Sequence, residues 1–367
     1  MKVPYNYLPY EFCDVEKIID EWRVLIKTTE FTIGRYVTSF ENKFASYLGV
    51  SHCVATNNGT DALILALKSL GIGYGDEVIT VTNTFYATVG AIVAVGAKPV
   101  FVDSDDRYQI DAAKVSSAIT DNTKAVIPVH WAGASPNIHK IQEICSSAGI
   151  YMVEDACMGI GATLNGKRAG TFGKVNAFSM HPLKSLNVMG DGGMVVTNDD
   201  EIATWIRKYR NHGMSDRNHI DFWGVNMRLQ PLQAVVASRG LDEIEGVVKK
   251  RNLNAEILDI GLSDLGSNVT IPERKKGFVE TYALYMALFD QRECLREHLT
   301  RNGVETRIHY PIPLHLQAAA KSLHYKVGDF PVSERQAQQL ITIPVHQYID
   351  DQQLGYTIGK IHEFYNK

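Results

Sequence analysis

IYMVEDACMGIGATLNGKRAGTFGKVNAFSMHPLKSLNVMGDGGMVVTN, Ile150 to Asn198, is the stretch on which the fold turns. It contains three short apolar runs, IYMVED (Ile150–Asp155), NAFSM (Asn176–Met180) and GMVVTN (Gly193–Asn198), each bounded by turn-forming residues. Such runs read as buried strands. Asp155 closes the first run. Lys184 lies between the second and third, on a loop bracketed by Pro182 and Gly190.

Working upstream, EVITVT (Glu77–Thr82), KPVFVD (Lys98–Asp103) and KAVIPVH (Lys124–His130) repeat the strand pattern, with helical segments between them. Strands alternating with helices imply a parallel sheet covered on both faces. The last two runs, joined by short connections, leave room for an antiparallel member. Before them, Asn58-Gly59-Thr60 opens an amphipathic helix, DALILALKSL (Asp61–Leu70), that stops at Gly71.

Downstream the pattern changes. A long helix from Pro231 to about Ile260 leads to FVETYALYMALF, a helix at QRECLREHLTRNG, a strand at VETRIHY and a closing helix at DDQQLGYTIGKIHEFY. The expected organisation is α/β: a lead-in segment over 1–30 with a helix around Asp14–Thr28, a large domain over 31–245, and a smaller α+β domain over 246–367.

Composition narrows the function. At 45% apolar and 21% charged, with a net charge of −4, the chain lacks the basic footprint of a nucleic-acid binder. Five scattered cysteines form neither a disulfide frame nor a zinc spacing, so no metal is expected and a reducing, cytoplasmic setting fits. The first residues show no apolar leader, and no long apolar run suggests a membrane span.

In open α/β sheets ligands sit beyond the C-terminal strand ends. Four features collect there: the Asp155 carboxylate, the Lys184 amine, the helix N-terminus at Asn58–Thr60, and the ring of Phe85 after EVITVT. Each alone has an ordinary reading. A loop lysine is usually solvated, Asp commonly caps a helix, and Asn-Gly marks any turn. Together they match pyridoxal 5'-phosphate (PLP), which needs an amine for a Schiff base, a carboxylate for its ring nitrogen, an anion cradle for its phosphate and a flat face for stacking. A nicotinamide dehydrogenase fails on spacing, because in MGIGA only Gly159 and Gly161 fit the three-glycine fingerprint.

Ordered blocks along nearly the whole chain carry a family resemblance: YVTSFENKFASYLGV, NNGTDALILAL, GDEVITVTNTFYAT, VEDA, SMHPLKSLNVMGDGGMVVTND, RNHG, GVNMRLQPLQA, IHYPIPLHLQ and GDFPVSERQAQQL. The sequence resembles the fold-type I PLP enzymes and, within them, the DegT/DnrJ/StrS-type sugar aminotransferases. The resemblance implies a mostly parallel seven-stranded sheet between helices and a smaller C-terminal α+β domain. It implies Lys184 as the Schiff-base lysine, Asp155 as the partner of the ring nitrogen, Ser179 with the backbone around Gly59, Thr60 and Asp61 as the phosphate site, and Phe85 as the stacking ring. Asn226 is expected to reach the neighbouring subunit's cofactor in a homodimer with shared sites. His309, Tyr310 and His315 are expected near the sugar, and Arg228 or Arg210 at the carboxylates of an L-glutamate donor.

Two departures stand out. Met158 replaces the Gln usual three residues after the ring-binding Asp, removing a side-chain hydrogen bond to the cofactor. Asp191 stands where Glu is also common. Presence of Lys184 favours transamination over the histidine-based dehydratases of the family and over a non-catalytic PLP-binding regulator. For the acceptor, the HPLKSLNV and NTFYATVGAI blocks suggest a branch that aminates 8-keto-3-deoxy-octulosonate for lipopolysaccharide; the alternative is a nucleotide-linked 3- or 4-keto-hexose.

Overall fold

The computed structural model describes residues 1–13 and 15–366. Asp14, where the sequence reading began its first helix, and Lys367 lie outside the described residues. Along the chain, α1 (Leu8–Glu11), α2 (Glu16–Thr28) and α3 (Gly34–Leu48) precede β1 (His52–Thr56). Then come α4 (Gly59–Ser69), β2 (Glu77–Val81), α5 (Tyr86–Ala94), β3 (Lys98–Val102), α6 (Ala112–Val115), β4 (Thr123–Ile127), α7 (Ile138–Ala148) and β5 (Tyr151–Met152). A small hairpin of β6 (Thr163–Leu164) and β7 (Lys167–Arg168) leads to β8 (Val175–Ser179) and β9 (Gly193–Thr197).

The strands β3-β2-β4-β5 run parallel, and β8, β9 and β1 form an antiparallel set in the order β1-β9-β8. Parallel bridges from Asp155 to Val129 on one side and to Ala177 on the other join the two sets. The result is a seven-stranded sheet, β3-β2-β4-β5-β8-β9-β1, in which β9 alone opposes the rest, as the short connections around it suggested. The seventh strand, β1, escaped the sequence reading. Its run HCVAT is five residues long and begins with a polar residue; it becomes a strand because β9 pairs with it from His52 to Thr56.

After β9 come α8 (Asp200–Tyr209) and then α9 (Pro231–Leu262), a helix of 32 residues that passes without a break through the expected domain boundary at 245. Its buried positions Leu241, Ile244, Val248, Arg251, Ala255, Leu258 and Leu262 alternate at spacings of three and four, one continuous inward stripe. Ile244 and Val248 pack in the core beneath β8 and β9, while Leu258 and Leu262 pack in the core of the C-terminal unit.

That unit contains β10 (Val269–Thr270), β11 (Phe278–Val279), β12 (Tyr285–Phe289), α10 (Arg292–Arg301), α11 (Pro331–Gln339), β13 (Leu340–Ile343) and α12 (Asp351–Tyr365). Its antiparallel sheet runs β10-β12-β13, and β11 pairs instead with β6 of the large unit. VETRIHY, read as a strand, forms only single bridges, Val304 with Val3 and Arg307 with Thr342. The chain there is shared between the N-terminal segment and β13, so no partner follows it far enough to make a ladder. No helix among the described residues is long and apolar enough to cross a membrane.

Arg210, one candidate for donor binding, belongs to this framework and not to a cleft. It is 4% exposed, and its guanidinium meets Glu41 of α3 and the carbonyl of Ala55 in β1, while Glu41 also accepts the Ala55 N–H at 2.8 Å. The pair pins α3 and the loop after α8 to the sheet's edge strand. Removing one partner of a buried pair strands the other charge, so Arg210→Met should cost about 3 kcal/mol in urea denaturation. The protein that remains folded should keep its KM for the amino donor, whereas a stable variant with a raised KM would return Arg210 to the site.

Candidate active site

Asp155 extends the line of β5, and its main chain is bonded on both flanks: its N–H donates to Pro128 at 3.0 Å, its carbonyl accepts from His130 at 2.9 Å, and the next N–H, of Ala156, donates to Ala177 at 2.8 Å. The side chain is 4% exposed. Its Oδ2 accepts the Thr88 hydroxyl at 2.7 Å and its Oδ1 accepts the Cys157 N–H at 3.2 Å. A carboxylate so held is fixed in orientation at the cleft wall. Next to it Glu154, fully buried, takes the amides of Gly170 and Gly173 at 2.8 Å each and the His130 Nε2 at 2.7 Å, which ties down the loop that follows.

Lys184 sits on the loop between β8 and β9. Its N–H donates to His181 at 2.8 Å, and its carbonyl accepts the hydroxyl of Tyr7, brought from the N-terminal segment, at 2.9 Å. The side chain keeps partial access to the cleft, but protein atoms crowd its ammonium. Burial pulls the Lys184 pKa below the usual lysine range, opposed in part by Cys157 and Asp155. The amine is therefore easier to use as a neutral base or nucleophile than a surface lysine.

The N-terminus of α4 faces the same space. Asn58 caps it by accepting the Asp61 N–H at 2.7 Å, which leaves the first-turn amides of Gly59 and Thr60 without intrahelical acceptors. Gly59 is required by space: a Cβ there would lie 2.7 Å from the Ser179 Cβ and 2.9 Å from the Cys157 Sγ. Ser179, at the end of β8, is thus pressed against the helix end, a cradle for an oxyanion. Asp61, in the first turn, has its carboxyl pushed up by burial, with Asn57 and Asn58 acting against it.

These groups line one cleft of about 840 Å³, together with Phe85, Tyr86, Trp131, Met158, His181, His309 and Tyr310. Phe85 caps α5 and is 37% exposed, on the wall of the cleft. Tyr86 lies 4.0 Å and Tyr310 6.2 Å from it between ring centroids, making an aromatic wall. His309 donates to or accepts from Thr342 at 2.8 Å, and burial, then Lys184 and Arg307, bring its pKa down to about 4. It is a neutral imidazole at pH 7.

Besides Arg210, three sequence candidates lie elsewhere. His315 is buried between Thr82 at 2.7 Å and Glu334 at 3.1 Å and does not line the cleft, because its 3-10 turn is bonded to Thr82 just past the end of β2. Arg228 is turned along its own loop, bonded to Asn226 at 3.0 Å and Asn211 at 2.8 Å. Asn226 is exposed and outside this chain's cleft. Conversely, the sequence reading missed Tyr7, Thr88, Trp131 and Arg251. Thr88, three residues after Phe85, and Arg251, a charge inside an apolar stripe, were visible as local anomalies. Tyr7 and Trp131 carried no local signal.

A model of the DegT/DnrJ/EryC1/StrS aminotransferase family matches residues 13–362. Over 357 residues the chain is 36% identical to the "Pleiotropic regulatory protein" of Geobacillus stearothermophilus, covering 96% of this chain and 94% of that one. Over 327 residues it is 38% identical to the UDP-2-acetamido-2-deoxy-3-oxo-D-glucuronate aminotransferase of Pseudomonas aeruginosa, covering 89% and 90%. The X-ray structure of S. venezuelae DesV in complex with a ketimine intermediate matches with a TM-score of 0.97 at 32% identity, covering 100% of this chain and 99% of that chain. The chain belongs to the DegT/DnrJ/EryC1/StrS aminotransferase family. It is a PLP-dependent aminotransferase of fold-type I.

The cleft fits that cofactor. The space that a Cβ at Gly59 would fill is the close approach of helix and Ser179 that a phosphate needs, and Lys184 and Asp155 open on the same cleft. Met158 lines it without a side-chain donor. Gly59→Ala should push the α4 end away from Ser179 and weaken PLP retention by at least tenfold, with little change in circular dichroism. Equal affinity, read by fluorescence titration of the cofactor-free chain, would place the phosphate elsewhere.

Proposed function

We propose that the chain moves an amino group from L-glutamate to a nucleotide-linked keto-sugar, with Lys184 holding the cofactor, Asp155 at its ring nitrogen, Phe85 on its face, and Gly59, Thr60, Asp61 and Ser179 at its phosphate. The observation that carries this reading is the convergence of Lys184, Asp155 and the α4 end in one cleft. When bound, PLP supplies an electron sink for the charge that develops at the amino-bearing carbon. The chain's own part is to hold and move protons there. Lys184 Nζ, with its pKa lowered by burial, takes the proton from the donor carbon and redelivers it on the other side of the transfer. Asp155, fixed by Thr88 and the Cys157 amide, stays aimed at the ring nitrogen. The cleft's volume leaves room for a sugar beside the cofactor, and the neutral His309 and Tyr310 stand where they can meet its hydroxyls.

Support for a nucleotide-linked acceptor comes from relatives named for UDP- and dTDP-linked sugars. The octulosonate expectation finds no support among them, and lipopolysaccharide as the destination rests on it alone. A homodimer working in the cytoplasm belongs to the same reading. Ile220, Trp223, Val225 and Leu232, on the segment that carries Asn226, expose large apolar surfaces, which suits burial against a second copy.

Lys184→Ala should fold, should lose the L-glutamate-dependent change in cofactor absorbance, and should aminate no keto-sugar. A Lys184→Ala protein that still turns over would end the mechanism. A wild-type protein that holds PLP but never responds to L-glutamate would favour the regulatory role for which the Geobacillus relative is named. Mixing Lys184→Ala with Asn226→Ala chains should restore activity if sites are shared across the dimer, and should not if each chain is self-contained.

A further inference from the structure

Arg251 occupies a position where the sequence pattern calls for an aliphatic residue. It follows Val248 by three residues and precedes Ala255 by four on the inward stripe of α9, and it is 1% exposed. Burying a guanidinium is costly unless a carboxylate or a full set of acceptors compensates. Compensation here is partial. Nε donates to Gln347 at 3.0 Å and Nη1 to the Tyr282 carbonyl at 3.3 Å, whereas Nη2 is buried with no acceptor in full hydrogen-bond geometry, the Tyr7 hydroxyl being the guanidinium's polar neighbour, and Arg251 makes no ion pair among the described residues.

The side chain borders the active-site cleft, while Nη2 itself is buried. Its guanidinium carbon lies 5.3 Å from the centre of the Tyr7 ring, and the Tyr7 hydroxyl donates to the Lys184 carbonyl. One tyrosine ring therefore separates Arg251 from the lysine loop. The other charges lining the cleft among the described residues are Asp61, Asp155, Asp191 and Lys184. With Lys184 committed to the cofactor, Arg251 is the fixed cation left to meet a substrate. Arg210 and Arg228, which the sequence suggested for that task, are bonded elsewhere.

We propose that Arg251 is the carboxylate-binding residue of this cleft, its free Nη2 donating to a carboxylate of the bound substrate. The inference rests on the aminotransferase reading for its setting. The chemistry has two sources, the distal carboxylate of a dicarboxylic amino donor and the carboxylate of an acidic sugar, and both would meet a planar fork suited to two-point recognition.

The test is calorimetric titration of the PLP-loaded full chain with glutarate, a dicarboxylate that lacks the amine, and with D-glucuronate, a sugar acid. Wild type should bind at least one of them saturably. Arg251→Gln should weaken that binding 10- to 100-fold while the cofactor absorbance is retained. Loss for glutarate assigns the residue to the donor, and loss for D-glucuronate assigns it to an acidic acceptor. Should the Gln variant fail to fold, Arg251→Lys keeps the charge without the fork and should still lose at least threefold. Unchanged affinity for both probes in a folded variant, or no saturable binding of either to wild type, overturns the proposal. A wild-type protein that binds glutarate but takes no amine from L-glutamate contradicts L-glutamate as the donor and leaves the carboxylate site standing.

Discussion

The backbone of Asp155 is spliced into the sheet from both sides, and the geometry of the active site depends on that splice. On one flank its amide and carbonyl bond to the chain leaving β4, and on the other the neighbouring amide bonds to β8. The parallel strands that carry Thr88 and Phe85 on their connections, and the antiparallel set whose loop carries Lys184, are thereby held in one register. A shift of one residue at this joint would turn the Asp155 side chain to the opposite face of the sheet. Glu154, bonded to three loop amides and His130, keeps the joint from slipping.

Around that joint the site is assembled from groups that are expensive to bury. Asp155 and Arg251 are buried, while Lys184 and, in the first turn of α4, Thr60 and Asp61 are half-buried on the cleft wall, so their charges act on one another more strongly than on an open surface. The Tyr7 hydroxyl on the Lys184 carbonyl extends the same economy to the N-terminal segment. That segment is not an appendage: Tyr5 and Tyr7 form part of the cleft wall, and Val3 bridges to Val304 of the C-terminal unit. The active site is therefore closed by three parts of the chain far apart in sequence.

Much of this is legible in the sequence. A strand ending in a carboxylate, a proline-to-glycine lysine loop and a capped helix start are local patterns, and local physics made them what they are. β1 was harder, because five residues of mixed polarity become a strand only when β9 pairs with them. VETRIHY failed in the opposite sense: its alternation is real, but its partners change along its length. His315 and Arg210 were placed by their blocks alone, and a block does not say whether a polar side chain faces a cleft or a buried partner. Arg251 was passed over, although a charge inside an apolar stripe of a helix is a position whose cost asks for an explanation.

The most direct measurement is borohydride reduction of the PLP-loaded chain followed by peptide mapping. Lys184, with its pKa lowered, opens on the same cleft as Asp155 and the α4 N-terminus, so the proposed mechanism predicts a single phosphopyridoxyl group on the peptide containing Lys184. A modification on another lysine, or none in a chain that has taken up PLP, would contradict the site described.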